Sequence, residues 1–157
     1  CGKSSLESLS LSGFAALHDN SFTTKAKVLY QLSDNLQEKQ TLFQKTGGSH
    51  STALFSSEGE ILLLTEDVGR HNAMDKLLGL LLREEMLPLS KYGILVSGRA
   101  SFELMQKALA AGCPMLVAVG APSSLALELA QEFDITLAGF LREKSLNIYH
   151  GHARIKA

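Results

Sequence analysis

Apolar residues change their spacing along the chain, and the change divides it into two regions. In the first, Val28, Leu32, Leu36, Leu42 and Phe43 recur near helical spacing and predict one amphipathic helix, stopped by Gly47-Gly48. HSTALF (50–55) and ILLLTED (61–67) read as two strands joined by a Ser-Ser-Glu-Gly turn, hence a hairpin. VGRHNAMDKLLGLLLREE then predicts a helix with Ala73, Leu77, Leu80 and Leu81 inward. Nearer the start, Ser4 and Glu7 have capping-box spacing and predict another helix, interrupted around Gly13, Asp19 and Asn20, with 21–24 as a loop.

From residue 92 the pattern becomes regular. YGILVS (92–97), PMLVAVG (114–120) and ITLAGFL (135–141) are continuous apolar runs of strand length, separated by the helical stretches SFELMQKALAAG and SSLALELAQEF. Strands without polar alternation are buried on both faces, so the pattern predicts an α/β fold: a three-layer α/β/α sandwich around a mixed, largely parallel sheet.

Length sets this as a single domain spanning 1–157. Fifteen Lys and Arg against sixteen Asp and Glu leave a net charge of −1, so no global field points to nucleic acid or an anionic membrane, and any anion site is local. The longest apolar run, LLGLLL, is far short of a bilayer span and no signal peptide is recognisable, so the expected location is the cytoplasm. Cys1 and Cys113 are too few for a disulfide framework and lack zinc-type pairing, and no metal site is expected.

In open α/β sheets ligands bind at the carboxyl ends of the strands. The predicted loops there hold Glu66, Asp67, Arg70, His71 and Asn72; Ser97, Gly98, Arg99 and Ser101; Gly120 to Ser124; and Phe140 to Lys144. Guanidinium groups, hydroxyls and backbone amides together are what a polyanionic ligand needs. Ser101 and Ser123 read equally as helix N-caps, and each arginine alone as a solvated charge. His71 and Asp75, four apart, read as an oriented acid/base couple or as an ordinary helical pair. Gly47, Gly48 and His50 read as a helix stop or as a close-approach loop.

The opening CGKSS admits two chemistries. A phosphate-binding P-loop needs a further glycine and a buried strand ahead of Gly2, and neither is visible. A reactive cysteine needs a helix N-terminus and a nearby cation, and Cys1 has the predicted start at Ser4 and Lys3 beside it. Cys113, between Gly112 and Pro114 at the entry to an apolar strand, reads as a small buried hydrophobe.

The segments TGGSHSTAL, EDVGRHNAMDKLLG, SGRASFELMQKALAAGCP, APSSLALELA and ITLAGFLR…NIY resemble the FdhD proteins, sulfur carriers needed for active formate dehydrogenase. The resemblance runs from Cys1 to about Tyr149, with the opening similar to the second half of that family's Cys-x-x-Cys-Gly-Lys loop. It implies a cytidine-deaminase-like core and a sulfurtransferase whose catalytic residue is Cys1. That activity takes a persulfide from a cysteine desulfurase and passes sulfur to the molybdenum, or tungsten, of a bis-pterin guanine dinucleotide cofactor, Mo-bis(molybdopterin guanine dinucleotide), with GDP as its mimic. The partners implied are the desulfurase and the catalytic subunit of formate dehydrogenase; exposed apolar faces would support a homodimer. The family's cofactor-binding segment maps onto Phe140, Leu141, Arg142, Glu143, Lys144 and Ser145. The family's smaller amino-terminal portion and the upstream partner cysteine have no counterpart here, and the deaminase His-x-Glu and Pro-Cys-x-x-Cys zinc set is absent. The alternative is a chaperone that delivers the cofactor without transferring sulfur.

Overall fold

The computed structural model describes residues 13–18 and 22–157. Cys1 and the helix expected from Ser4 lie outside the described residues, as does Ser21, the first residue of the expected loop. A six-stranded sheet forms the middle layer, in the spatial order β3-β2-β4-β5-β6-β7. Its strands are β2 (His50–Phe55), β3 (Ile61–Asp67), β4 (Gly93–Val96), β5 (Met115–Ala118), β6 (Thr136–Arg142) and β7 (Ser145–His150). The centre, β4-β5-β6, is parallel, and the outer strands are antiparallel to their neighbours. Two short strands, β1 (Thr24–Lys25) and β8 (Ile155–Lys156), pair separately.

Single-residue alternation assigns each strand's side chains to two cores. Leu54, Ile94, Val96, Leu116 and Leu137 face one side, where they meet α3 (Arg70–Arg83), α4 (Phe102–Ala110) and α5 (Ser124–Glu132). Ala53, Phe55, Leu95, Val117 and Ala138 face the other, against α1 (Ala26–Lys39) through Leu29, Leu32 and Leu36. Both faces of the central strands β4 and β5 are therefore dry, which is why they carry unbroken apolar runs. Helices α4 and α5 begin where expected: Ser101 Oγ accepts from Leu104 N at 3.4 Å and Ser123 Oγ from Ala126 N at 3.1 Å, caps worth about 1 kcal/mol each.

Three local expectations are corrected. The stretch 28–43 is two helices, α1 and the short α2 (Thr41–Thr46), broken at Gln40 (φ −78°, ψ 69°). Leu42 and Phe43 are consequently exposed, and Leu29 joins the core. In α3, Met74 is buried while Leu80 is only half-buried. Strand β7 was not foreseen, because SLNIYH has neither strict alternation nor an unbroken apolar run.

Arg154 is 1% exposed and locks the carboxyl end of the chain. It donates to Asp134 Oδ2 at 3.2 Å, to Thr136 Oγ1 at 3.4 Å and to the Leu17 carbonyl. Partial burial pushes the Asp134 carboxyl up, but the Arg154 charge and hydrogen bonds from Arg154 and His150 outweigh it and hold the carboxyl below its ordinary range.

Candidate functional site

The carboxyl ends of β3, β4, β5 and β6 and the amino end of β2 share one edge, a consequence of the β2-β3 and β2-β4 registers, in which His50 opposes Asp67 and Thr52 opposes Val96. At that edge a cavity of about 940 Å³ opens between α1, α2 and the sheet. Gly47, Gly48, His50 and Ser97 line it, joined by Gln40, Phe43 and Val119. Four expected site residues are thus brought to one cavity.

Its floor is held by tightly coupled turns. Ser97 Oγ accepts from Ser51 N at 2.9 Å and Ser97 N donates to Ser51 O at 3.0 Å. The turns after β4 and β5 continue the strands' pairing: Gly120 N donates to Gly98 O at 2.9 Å and Ala100 N to Ala121 O at 3.1 Å. Phe140 N donates to Gly120 O at 3.1 Å, extending the coupling to β6. In that ladder the amides of Gly98 and Arg99 have no protein acceptor among the described residues. The His50 ring stands over Gly98, so close that a Cβ there would lie 3.3 Å from His50 Nδ1 and 3.9 Å from Arg70 Cδ.

Arg70, the first residue of α3, is the notable electrostatic feature. Its Nε is buried and has no hydrogen-bond partner among the described residues. A buried N–H without an acceptor carries a cost of roughly 1–3 kcal/mol that an anion's oxygen would relieve. Arg142 approaches the same cavity from β6, its Nη1 donating to Val119 O at 2.8 Å and to Leu141 O at 2.7 Å. Arg99 is exposed.

Other expected site residues are engaged elsewhere. Glu66 caps α2: its carboxylate accepts from Leu42 N at 2.8 Å, Phe43 N at 2.9 Å and Ser49 Oγ at 3.0 Å. Burial pushes this carboxyl up, but the three donors outweigh it and hold it below its ordinary range. Asp67 accepts from Lys76, Gly69 N and Asn72 Nδ2, and the Lys76 ammonium foremost lowers its carboxyl to about 2. Asn72 therefore serves the turn. His71 does not pair with Asp75, as the four-residue spacing had allowed; its Nε2 lies 3.3 Å from Ser101 Oγ and 3.5 Å from Glu103 Oε2, while Asp75 accepts from Lys107. Tertiary neighbours on α4 outcompete the helical one.

The segment 140–145 is the end of β6 and its turn into β7. Phe140 has φ 53° and is exposed, and Glu143, Lys144 and Ser145 are exposed in the hairpin. Leu141 is 0% exposed in the core beneath α1, so its side chain cannot reach a ligand. Burial raises the Cys113 thiol to about 12, which leaves it inert at neutral pH. Among the described residues no group of His, Cys, Asp or Glu is placed to hold a metal ion, and no helix is long and apolar enough to cross a membrane.

Polar residues of α1, α2 and the break between them were missed as site residues. Ser33, Gln37, Gln40 and Gln44 line the cavity, with Gln40 Nε2 donating to Ser51 Oγ. Their spacing of four, three and four is itself a helical stripe beside the apolar one, and is the signal that could have found them.

Comparison with known proteins places the chain in context. The FdhD/NarQ family profile matches residues 1–156. The sulfur carrier protein FdhD of Streptomyces avermitilis is 51% identical over 99% of this chain and 55% of its own length. The protein of the same name from Saccharolobus solfataricus is 50% identical over 83% of this chain and 51% of its own length. The chain thus spans about half the length of the curated relatives it matches. A crystal structure from Desulfotalea psychrophila, whose name attributes to it a formate dehydrogenase accessory role, superimposes with a TM-score of 0.81 at 28% identity, covering 90% of this chain and 59% of that one.

Proposed function

The chain belongs to the FdhD/NarQ family, and from that premise we propose that it forms the cofactor-binding and sulfur-carrying portion of a sulfurtransferase that serves formate dehydrogenase. Its substrate is the Mo-bis(molybdopterin guanine dinucleotide) cofactor, or the tungsten analogue, and its sulfur donor is a cysteine desulfurase. The observation that carries the reading is the buried, unpartnered Arg70 Nε beside His50 and Gly98 at the edge of the 940 Å³ cavity. The donor set suits a guanine nucleotide. Arg70 and the Gly98 and Arg99 amides offer donors to phosphate oxygens; the side chains of Ser33, Gln37 and Gln40 offer donors and acceptors to a base, and Gln44, whose Nε2 is engaged with the Gln37 and Glu38 carbonyls, offers its Oε1 as an acceptor.

In this reading Cys1 carries the sulfur. Its thiolate attacks the terminal sulfur of the donor's persulfide; a new sulfur–sulfur bond forms on Cys1, the donor's breaks, and the donor leaves as thiolate, with no net oxidation. The bound cofactor supplies the metal that accepts this sulfur. Arg70, the turn amides and the cavity's polar wall fix its nucleotide end, so that the reacting ends meet in one orientation.

Two measurements test this reading. GDP titrated into the chain by calorimetry is expected to bind with one-to-one stoichiometry, and Arg70→Met to weaken it at least about tenfold. Intact mass after incubation with a desulfurase and cysteine is expected to rise by one sulfur atom, and not to rise in Cys1→Ser. GDP binding without any sulfur adduct on Cys1 would support a delivery chaperone instead, and no GDP binding would remove the cavity from the account.

A further inference from the structure

A second cleft, of about 730 Å³, lies at the opposite edge of the sheet, beneath the β2-β3 turn and the amino end of α1. Four lysines line it: Lys25 and Lys27 from the start of α1, Lys91 from the segment entering β4, and Lys156 from β8. Glu58 is the single acid among the described residues that line it, and its carboxylate accepts from Ser57 Oγ at 2.7 Å. None of the four lysines makes an ion pair or a side-chain hydrogen bond among the described residues. Four unpaired cations around one cleft are a concentration of charge, because the chain as a whole is net −1.

The arrangement works against the fold that holds it. Lys25 and Lys156 are register partners in the parallel β1-β8 pair, which puts two like charges side by side. Lys25 is also the N-cap of α1 and Lys27 lies in its first turn, where positive charge opposes the helix dipole; that turn contains no acidic residue and the end has no side-chain cap. Both choices lose stability within the chain, and an anionic occupant would reverse both. Sites where local rules are broken together are where function is expected.

We propose that this cleft docks an acidic segment of a partner protein. The chemistry favours spaced carboxylates over a compact polyphosphate. Among the described residues no arginine fork lines the cleft, and the one glycine of the adjoining turn, Gly59, spends its amide on the Ser56 carbonyl, whereas lysines on flexible stems meet charges distributed along a chain. Phe22, 2% exposed, and Val28 give the cleft an apolar base against which lysine and glutamate stems can pack. The cleft lies at the other end of the sheet from the cavity at Ser97 and Gly98, so a docked partner leaves that cavity open. The inference does not depend on the function proposed above.

The probe is a fluorescent peptide of ten glutamates, followed by anisotropy at about 50 and 200 mM salt, a range over which exposed charge pairs are progressively screened. Binding that weakens with salt is expected, with at least a tenfold loss in Lys27→Glu/Lys91→Glu and a similar loss in Lys25→Ala/Lys156→Ala, each checked for folding by circular dichroism. The control Lys45→Glu/Arg83→Glu changes net charge as much as the first variant and is expected to shift affinity less than about twofold. Equal loss in the control, absence of binding, or displacement of the peptide by tripolyphosphate at concentrations below the peptide's own dissociation constant would each overturn the proposal; the last would make the cleft a phosphate site.

Discussion

A methyl group added at Gly120 would sit 2.9 Å from the carbonyl oxygen of Gly98 and 3.0 Å from Arg99 Cα. Both obstacles are backbone, and they belong to the turn that Gly120 itself hydrogen-bonds, so neither yields without breaking the ladder. Gly120→Ala is expected to cost about 1–3 kcal/mol, the usual range for overpacking. Thermal unfolding checks this. The atoms nearest a methyl at Gly98 belong to the His50 ring and the Arg70 stem, which are side chains; the melting temperature of Gly98→Ala should change little while GDP binding falls several-fold.

Arg70 separates stability from binding. Because its buried Nε has no partner, Arg70→Met is expected to leave the folded state unharmed or more stable by up to about 1 kcal/mol, while the GDP affinity drops. A melt and a calorimetric titration on the same sample read both. A loss above about 2 kcal/mol would instead identify Arg70 as a structural group.

Asp67 titrates far below an ordinary aspartate, from 3.8 to about 2, because Lys76, the Gly69 amide and Asn72 favour its charged form. A lowered folded-state value means that the stabilisation is present above about 4 and is lost as pH falls toward about 2. Carboxyl chemical shifts followed through an acid titration should place the midpoint near 2, and Lys76→Met should move it upward. Above pH 5 the stability conferred by this turn should be flat with pH.

Arg154→Met strips Asp134 of its buried partner and leaves the Leu17 carbonyl without that donor. About 3 kcal/mol of lost stability is expected, the low end for breaking such a pair, since Asp134 keeps partial contact with water. Urea denaturation measures it.

What could be read from the sequence was what neighbouring residues decide. Ser101 and Ser123 announced α4 and α5 because an N-cap is a three-residue event, and the runs GILV and MLVA announced β4 and β5 because both of their faces are covered. What escaped depends on distant partners. Strand β1 exists through its pairing with Ile155 and Lys156, more than a hundred residues away, and leaves no local mark. His71 turned to Ser101 and Glu103 rather than to Asp75 because α4 packs beside α3. Of the expected site, Gly47, Gly48, His50 and Ser97 share the cavity, whereas Glu66, Asp67 and Asn72 organise the turns around it. Loop position foretold the neighbourhood; it could not distinguish a residue lining the cavity from one holding the chain.

Helix α2 has no buried residue, and two of its first amides are gripped by the Glu66 carboxylate. One wall of the cavity is thereby held mainly by two side chains, Glu66 at its start and Gln44, whose Nε2 donates to the Gln37 carbonyl at 2.8 Å, while the sheet forms the opposite wall. Its amides should exchange with deuterium well before those of α1, and ligand affinity should include the free energy of keeping this wall in place. Glu66→Gln would then weaken binding without touching any ligand, by thinning the population of molecules whose pocket is assembled.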